Sequence, residues 1–105
     1  MSTRYSVIVT SYSRASTGSK IIDTLLERRL AACVQVIPMQ SHYTWKGRRL
    51  RAREKLLLIK ARARDFARIE RAILENHDYE LPEIISLRVD RGFSGYLKWI
   101  AASTA

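Results

Sequence analysis

The sequence predicts an α+β fold in which two strand-and-helix units flank one long β-hairpin and a helical tail closes the chain. Two changes of hydrophobic period carry this: β-branched alternation at Tyr5–Ser11 gives way to helical spacing after Gly18, and a similar change follows Ala61. A Lys46-Gly47 turn signal between two strand-like stretches supplies the hairpin. With 4 Gly and 2 Pro in 105 residues, and no linker composition or low-complexity run, residues 1–105 read as a single domain. Hydrophobic residues make up 47%, enough for a modest core.

Tyr5–Ser11 alternates and is the first strand. Ser13–Gly18 is small and polar, a loop offering a hydroxyl cap at Ser16 or Thr17. Ile21, Ile22, Leu25 and Leu26 then recur at helical spacing, with Glu27, Arg28 and Arg29 extending the outer face to about Leu30. Ala32–Ile37 is strand-like, interrupted by Pro38 in the manner of a bulge or an edge, and resumes through His42–Trp45. Arg49–Ala61 returns as the third strand, with Leu56–Ile59 apolar on both faces. Phe66, Ile69 and Ile73 mark a second helix from about Arg64 to Asn76. Glu83–Val89 is the fourth strand, and Ser94–Ala102 a short helix presenting Tyr96, Leu97, Trp99 and Ile100. The order βαββαβ is that of the ferredoxin-like sandwich: both helices on one face of a four-stranded antiparallel sheet, with the first and third strands central. The other face would be uncovered although the third strand is apolar on both sides, and the second strand would be a long edge. A closed homo-oligomer answers that exposure.

The charge balance, 19 Lys plus Arg against 10 Asp plus Glu, leaves +9. Such a charge attracts polyanions, but the basic residues read as dispersed over a solvated surface, the densest run being Arg48–Arg53. Arg91-Gly92-Phe93 imitates the opening of an RNA-recognition motif, yet it follows the last strand, where its ring could not stack bases from the sheet. Nucleic acid is therefore not the expected partner. His42 and His77 are the only histidines; no Ser/His/Asp or Cys/His arrangement and no Gly-rich phosphate loop can be assembled, so no enzyme is expected. A lone Cys33 excludes an internal disulfide. Met1-Ser2-Thr3-Arg4 runs straight into the first strand without an apolar leader, and no stretch is long enough to span a bilayer; the expectation is a soluble cytosolic protein.

The junction between the second helix and the fourth strand is dense in chemistry. His77-Asp78-Tyr79-Glu80-Leu81-Pro82-Glu83 carries an imidazole, three carboxylates and a phenol, with Pro82 holding Leu81 extended.

These residues, in order, resemble the CutA family of divalent-cation tolerance proteins. Leu30-Ala31-Ala32-Cys33-Val34 with Ile37-Pro38 is similar to the family's second strand, and Ser41-x-Tyr43-x-Trp45-x-Gly47 to its hairpin tip. Glu54, Leu57, Leu58 and Lys60 resemble its third strand, His77-x-Tyr79-Glu80-x-Pro82-Glu83-Ile84 its His-Pro-Tyr-Glu loop, and Tyr96-Leu97-x-Trp99 its terminal helix. Asp78 stands where the family often has proline, and Gln35 where asparagine is common. The resemblance implies a homotrimer of ferredoxin-like subunits. In members described as copper-binding, ligands are assigned to a cysteine in the first strand and two adjacent histidines; here those positions read Val9 and Asn76-His77, so only His77 carries over.

The donors available are Cys33, His42, His77, Asp78, Glu80 and Glu83. Copper favours thiolate or several imidazoles and zinc usually four ligands, which one chain does not easily provide and a trimer can. The expected metal contacts are His77, with Cys33 and Glu83 added from the same or a neighbouring chain. The competing structural readings are His77 as a cap on the second helix and Cys33 as ordinary core. The expected function is tolerance of copper or another divalent cation, by metal binding rather than catalysis. The alternative is a regulatory trimer like the PII-type signalling proteins, with a small anion in a cleft between subunits lined by Lys60, Arg62, Tyr79 and Glu83.

Overall fold

Alternation along the strands decides which side of the sheet becomes the core. The structure, a computed structural model, describes residues 4–105; the reading of the N-terminus at Met1–Thr3 lies outside the described residues. Its elements are β1 (Tyr5–Tyr12), α1 (Ala15–Glu27), β2 (Ala31–Trp45), β3 (Arg48–Arg62), a 3-10 turn (Ala63–Asp65), α2 (Phe66–Asn76), β4 (Ile85–Arg88) and α3 (Ser94–Ser103). The sheet order is β2-β3-β1-β4 and every pairing is antiparallel. The ferredoxin-like α+β order and the central places of β1 and β3 are those expected. No helix among the described residues is long and apolar enough to cross a membrane.

On one side of the sheet, Ile8 of β1 lies opposite Ile59 of β3, and Leu57 and Ala61 continue the same face. These are buried with Ile21 and Leu25 of α1 and Ile69 and Ile73 of α2 in one cluster. The opposite face carries Val7, Val9, Leu56 and Leu58 at the alternate positions, flanked by Ile85 and Leu87 of β4, which are 50% and 51% exposed. One end of that face is covered where α3 packs back: Arg62 bonds Thr104 Oγ1 at 2.8 Å and the Ala101 carbonyl at 2.6 Å, and the Lys60 amine reaches the Tyr96 hydroxyl at 3.4 Å.

Several boundaries differ from the sequence reading. Of the two readings of Pro38, a bulge or an edge, the structure shows the edge: β2 lies at the sheet's border and runs unbroken through Pro38, which pairs with Lys55. The irregularity falls instead between Ala31 and Cys33. Neither Ser16 nor Thr17 caps α1; the N-cap is Arg14, without a side-chain cap bond, and Thr17 lies buried inside the helix. The first helix stops at Glu27 and not near Leu30, because Arg29 adopts φ 55°, a left-handed termination without glycine. The second is preceded by the 3-10 turn, so its α-helical part begins at Phe66. The fourth strand is shorter than Glu83–Val89 because Pro82 keeps its entry out of the ladder.

Gly18 is required by close packing. A methyl group there would fall within the ring of Tyr12, which is buried against α1. Gly18→Ala is expected to cost about 1–3 kcal/mol through overpacking, measured as a lower urea midpoint, and to be less than additive with Tyr12→Ala. The hydroxyl of Thr10 is fully buried with no partner among the described residues. Thr10→Val keeps the shape and removes that desolvated group, so stability should hold or rise by about 1 kcal/mol in the same measurement.

Candidate functional site

The loop from His77 to Ile84 leaves α2 and crosses the end of β1 before entering β4. His77 is the first extended residue after α2 and turns its ring inward; the side chain is 1% exposed. Its Nε2 lies 2.7 Å from the Ser11 carbonyl oxygen, and its Nδ1 accepts the Tyr79 N–H at 3.1 Å. A carbonyl can only accept, so Nε2 carries the proton and Nδ1 supplies its lone pair to the backbone. Both nitrogens are thereby used. The His77 ring also packs against Tyr79, with centroids 4.5 Å apart.

Tyr79 carries the loop onto the open face of the sheet. Its hydroxyl donates to Glu54 Oε2 at 2.7 Å and accepts from Ser13. Burial works to raise the Glu54 carboxyl, but hydrogen bonds from Ser41, Tyr79 and Ser11 outweigh it and hold the group below the usual carboxylate value. The Tyr79 phenol is pushed up to about 12, chiefly by burial; the bond from Ser13 opposes this, and the bond to the Glu54 carboxylate with the negative charges of Glu54 and Asp78 adds to it. Beside them Asp78 accepts from the Thr17 hydroxyl at 3.1 Å and lies 3.7 Å from Arg14 Nε. Its carboxylate thus meets the first turn of α1, where negative charge is favoured and the helix has no acidic residue of its own. Asp78 thus ties the loop to α1.

The expected metal donors are not gathered in one chain. Cys33 is half-buried on β2 opposite Lys60, near α3; His77 sits at Ser11, which pairs with Leu56, about 13 Å further along the sheet by strand rise. Glu83 is exposed in the loop. Among the described residues there is no group of three or more His, Cys, Asp or Glu side chains that could hold a metal ion. His77 stands at the C-cap position of α2, but its ring bonds the end of β1 and a loop amide and not the last carbonyls of the helix. Cys33 is not core, being outside the buried cluster. Nor does one chain form the anion cleft expected of Lys60, Arg62, Tyr79 and Glu83, because Lys60 and Arg62 are engaged with α3 at the far end from Tyr79. The residues that sequence reasoning missed are Ser11, Ser13, Thr17 and Glu54. Glu54 left one signal, a lone carboxylate inside the run from Lys46 to Lys55.

A ferredoxin-like chain whose one β-hairpin outruns its sheet, with a polar loop locked across the end of β1 and a terminal helix folded onto the open face, belongs to a defined class of small α+β proteins. The family model described as "CutA1 divalent ion tolerance protein" matches residues 6–103, and the chain belongs to that family. It is 32% identical over 99 residues to the divalent-cation tolerance protein CutA of Thermus thermophilus, covering 93% of this chain and 96% of that one. Over 77 residues, 72% of this chain, it is 44% identical to a Xenopus laevis CutA homolog. It spans about half the length of that relative and of the chloroplastic CutA of Arabidopsis thaliana, 51% and 54%. Among solved structures, CutA1 from Shewanella sp. SIB1 superposes with a TM-score of 0.92 at 31% identity, covering 99% of this chain and 98% of that one. The T. thermophilus protein gives 0.91 at 31%, covering 96% and 99%.

The two shifted groups set opposite ends of a pH profile. The raised Tyr79 contributes stability that is complete below about pH 10, its unfolded value, and is lost as pH climbs towards about 12. The lowered Glu54 contributes stability present above about pH 4.5 and lost as pH falls through its folded value. Thermal melts across pH should therefore show Tyr79→Phe with a shallower alkaline loss than the parent, and Glu54→Gln with a shallower acid loss.

Proposed function

We propose that this chain serves tolerance of divalent cations, copper among them, by binding the metal as a homotrimer and without catalysis, with donors contributed by more than one chain. The observation that carries this reading is the separation of Cys33, His77 and Glu83 within one chain, coupled with the uncovered apolar face formed by Val7, Leu56, Leu58, Ile85 and Leu87. A face of that kind favours association of copies, and association can bring together side chains that one copy keeps apart. In this reading Glu83 and Cys33 are the free donors. His77 holds the loop that presents Glu83, and would itself bind a metal only by giving up its bond to Ser11 or to Tyr79. The reduced thiol of Cys33 fits a cytosolic setting.

The test is a competition titration of the reduced protein, its mass fixed by light scattering, with Cu(I), Cu(II) and Zn(II). Three chains per particle and saturable binding at an integral number of ions per trimer are expected. Glu83→Ala should lose metal while keeping its melting temperature, whereas His77→Ala should lose both stability and metal. A monomer, or binding no better than that of a generic surface carboxylate, would defeat the proposal.

A further inference from the structure

The segment that presents Glu83 has few holds of its own. Between Tyr79 and the start of β4, residues 80–84 make no hydrogen bond among the described residues. Ile84 packs against the core and Ile85 pairs with Val9, which fixes the downstream end. The upstream end hangs on three consecutive residues. His77 reaches the Ser11 carbonyl and Asp78 reaches Thr17, so both hold the loop where β1 passes into α1. Tyr79 reaches β3, at Glu54, with a bond of 2.7 Å. Glu54 gathers more than this one donor. By strand parity it shares the open face with Leu56 and Leu58, and it also accepts from Ser11 of β1 and Ser41 of β2. One carboxylate thus joins two strands and the loop at the root of the hairpin, where β1 ends and β2 and β3 run on as a two-stranded ribbon. Cys33, opposite Lys60, lies on this same face.

We propose that Tyr79 and Glu54 are the positioning residues of the metal site: their bond sets the Glu83 segment towards the side of the sheet on which Cys33 lies and copies associate. This rests on the reading of Glu83 and Cys33 as donors. His77 and Asp78 fix where the loop leaves α2, but they do not carry it across to the open face. A donor on a segment without hydrogen bonds of its own is oriented by the residues at the segment's ends. Groups that orient a ligand without touching the metal are worth about 10–100-fold in affinity. The bond lies within one chain, so it is kept when copies associate. Because Ser11, Ser41 and Tyr79 share one acceptor, a shift at the root of the hairpin reaches the Glu83 segment with no contact to the metal.

The test uses the full chain, its particle mass checked by light scattering, with two readouts, one of them free of metal. A glutamate-specific protease reports the loop. Tyr79→Phe, which removes only the hydroxyl, should be cut after Glu80 or Glu83 faster than the parent, at unchanged particle mass. Titration with Zn(II) reports the site, and there Tyr79→Phe should lose about tenfold or more in affinity. Glu54→Ala should match it in both readouts. Glu54→Gln keeps an oxygen for the Tyr79 hydroxyl and should stay within about threefold of the parent, a rescue that a purely electrostatic role does not give. Ile22→Ala, a truncation against the core, should lower the melting temperature and leave Zn(II) affinity unchanged. A parent that binds no Zn(II) would defeat the function proposed above and this inference with it. Binding by the parent with an unchanged Tyr79→Phe, in cleavage or in affinity, would overturn this inference alone. Equal losses of affinity in Ile22→Ala and Tyr79→Phe would reduce the effect to stability and overturn it as well.

Discussion

Strand β3 is 15 residues long and its neighbour β1 only 8, and this mismatch in length organises the molecule. Where β1 is present, β3 is a central strand with two ladders and helices above it. Beyond Tyr12 it has one ladder, to β2. A single period-two pattern therefore meets two environments. Leu57, Ile59 and Ala61 obey it as core, and Arg49, Arg51 and Arg53 obey it as surface.

The loop after α2 depends on the same termination. Because β1 ends at Tyr12, the Ser11 carbonyl and the Ser13 hydroxyl are available at its end, and His77 and Tyr79 take them. The network then reaches β3 at Glu54, the position where the ribbon leaves the sheet. One connection joins the ends of β1, α1 and α2 to the root of the ribbon through hydrogen bonds that balance burial against donation. Histidine, which in isolation suggests a metal ligand, is here a bridge that uses one ring nitrogen as donor and the other as acceptor.

Elements with a strong period were legible in the residues. The helical spacing of Ile21 and Leu25, and of Ile69 and Ile73, reports burial that the structure contains, and the Lys46-Gly47 turn sits at φ 51° and 75°. Their ends were less legible. Arg29 terminates α1 in a left-handed conformation that usually signals itself with glycine, and Pro38 is accommodated because β2 has no neighbour on its outer side. Both depend on contacts remote in sequence: Arg29 is fixed by the Ala105 N–H on its carbonyl and by its own bond to Ala102.

The sequence by itself determined the order of elements, the central places of β1 and β3, the two-faced character of the sheet and the chemical richness of the His77–Glu83 loop. These follow from side-chain period and turn chemistry, which act over a few residues. Only the tertiary structure decided what the loop's groups do, because a hydrogen bond between His77 and Ser11 or Tyr79 and Glu54 joins residues 66 and 25 positions apart. It also decided that basic residues scattered along the chain form a row. Parity within a strand places them on one face, but whether that face is core or solvent is settled by where the neighbouring strand and the helices stop.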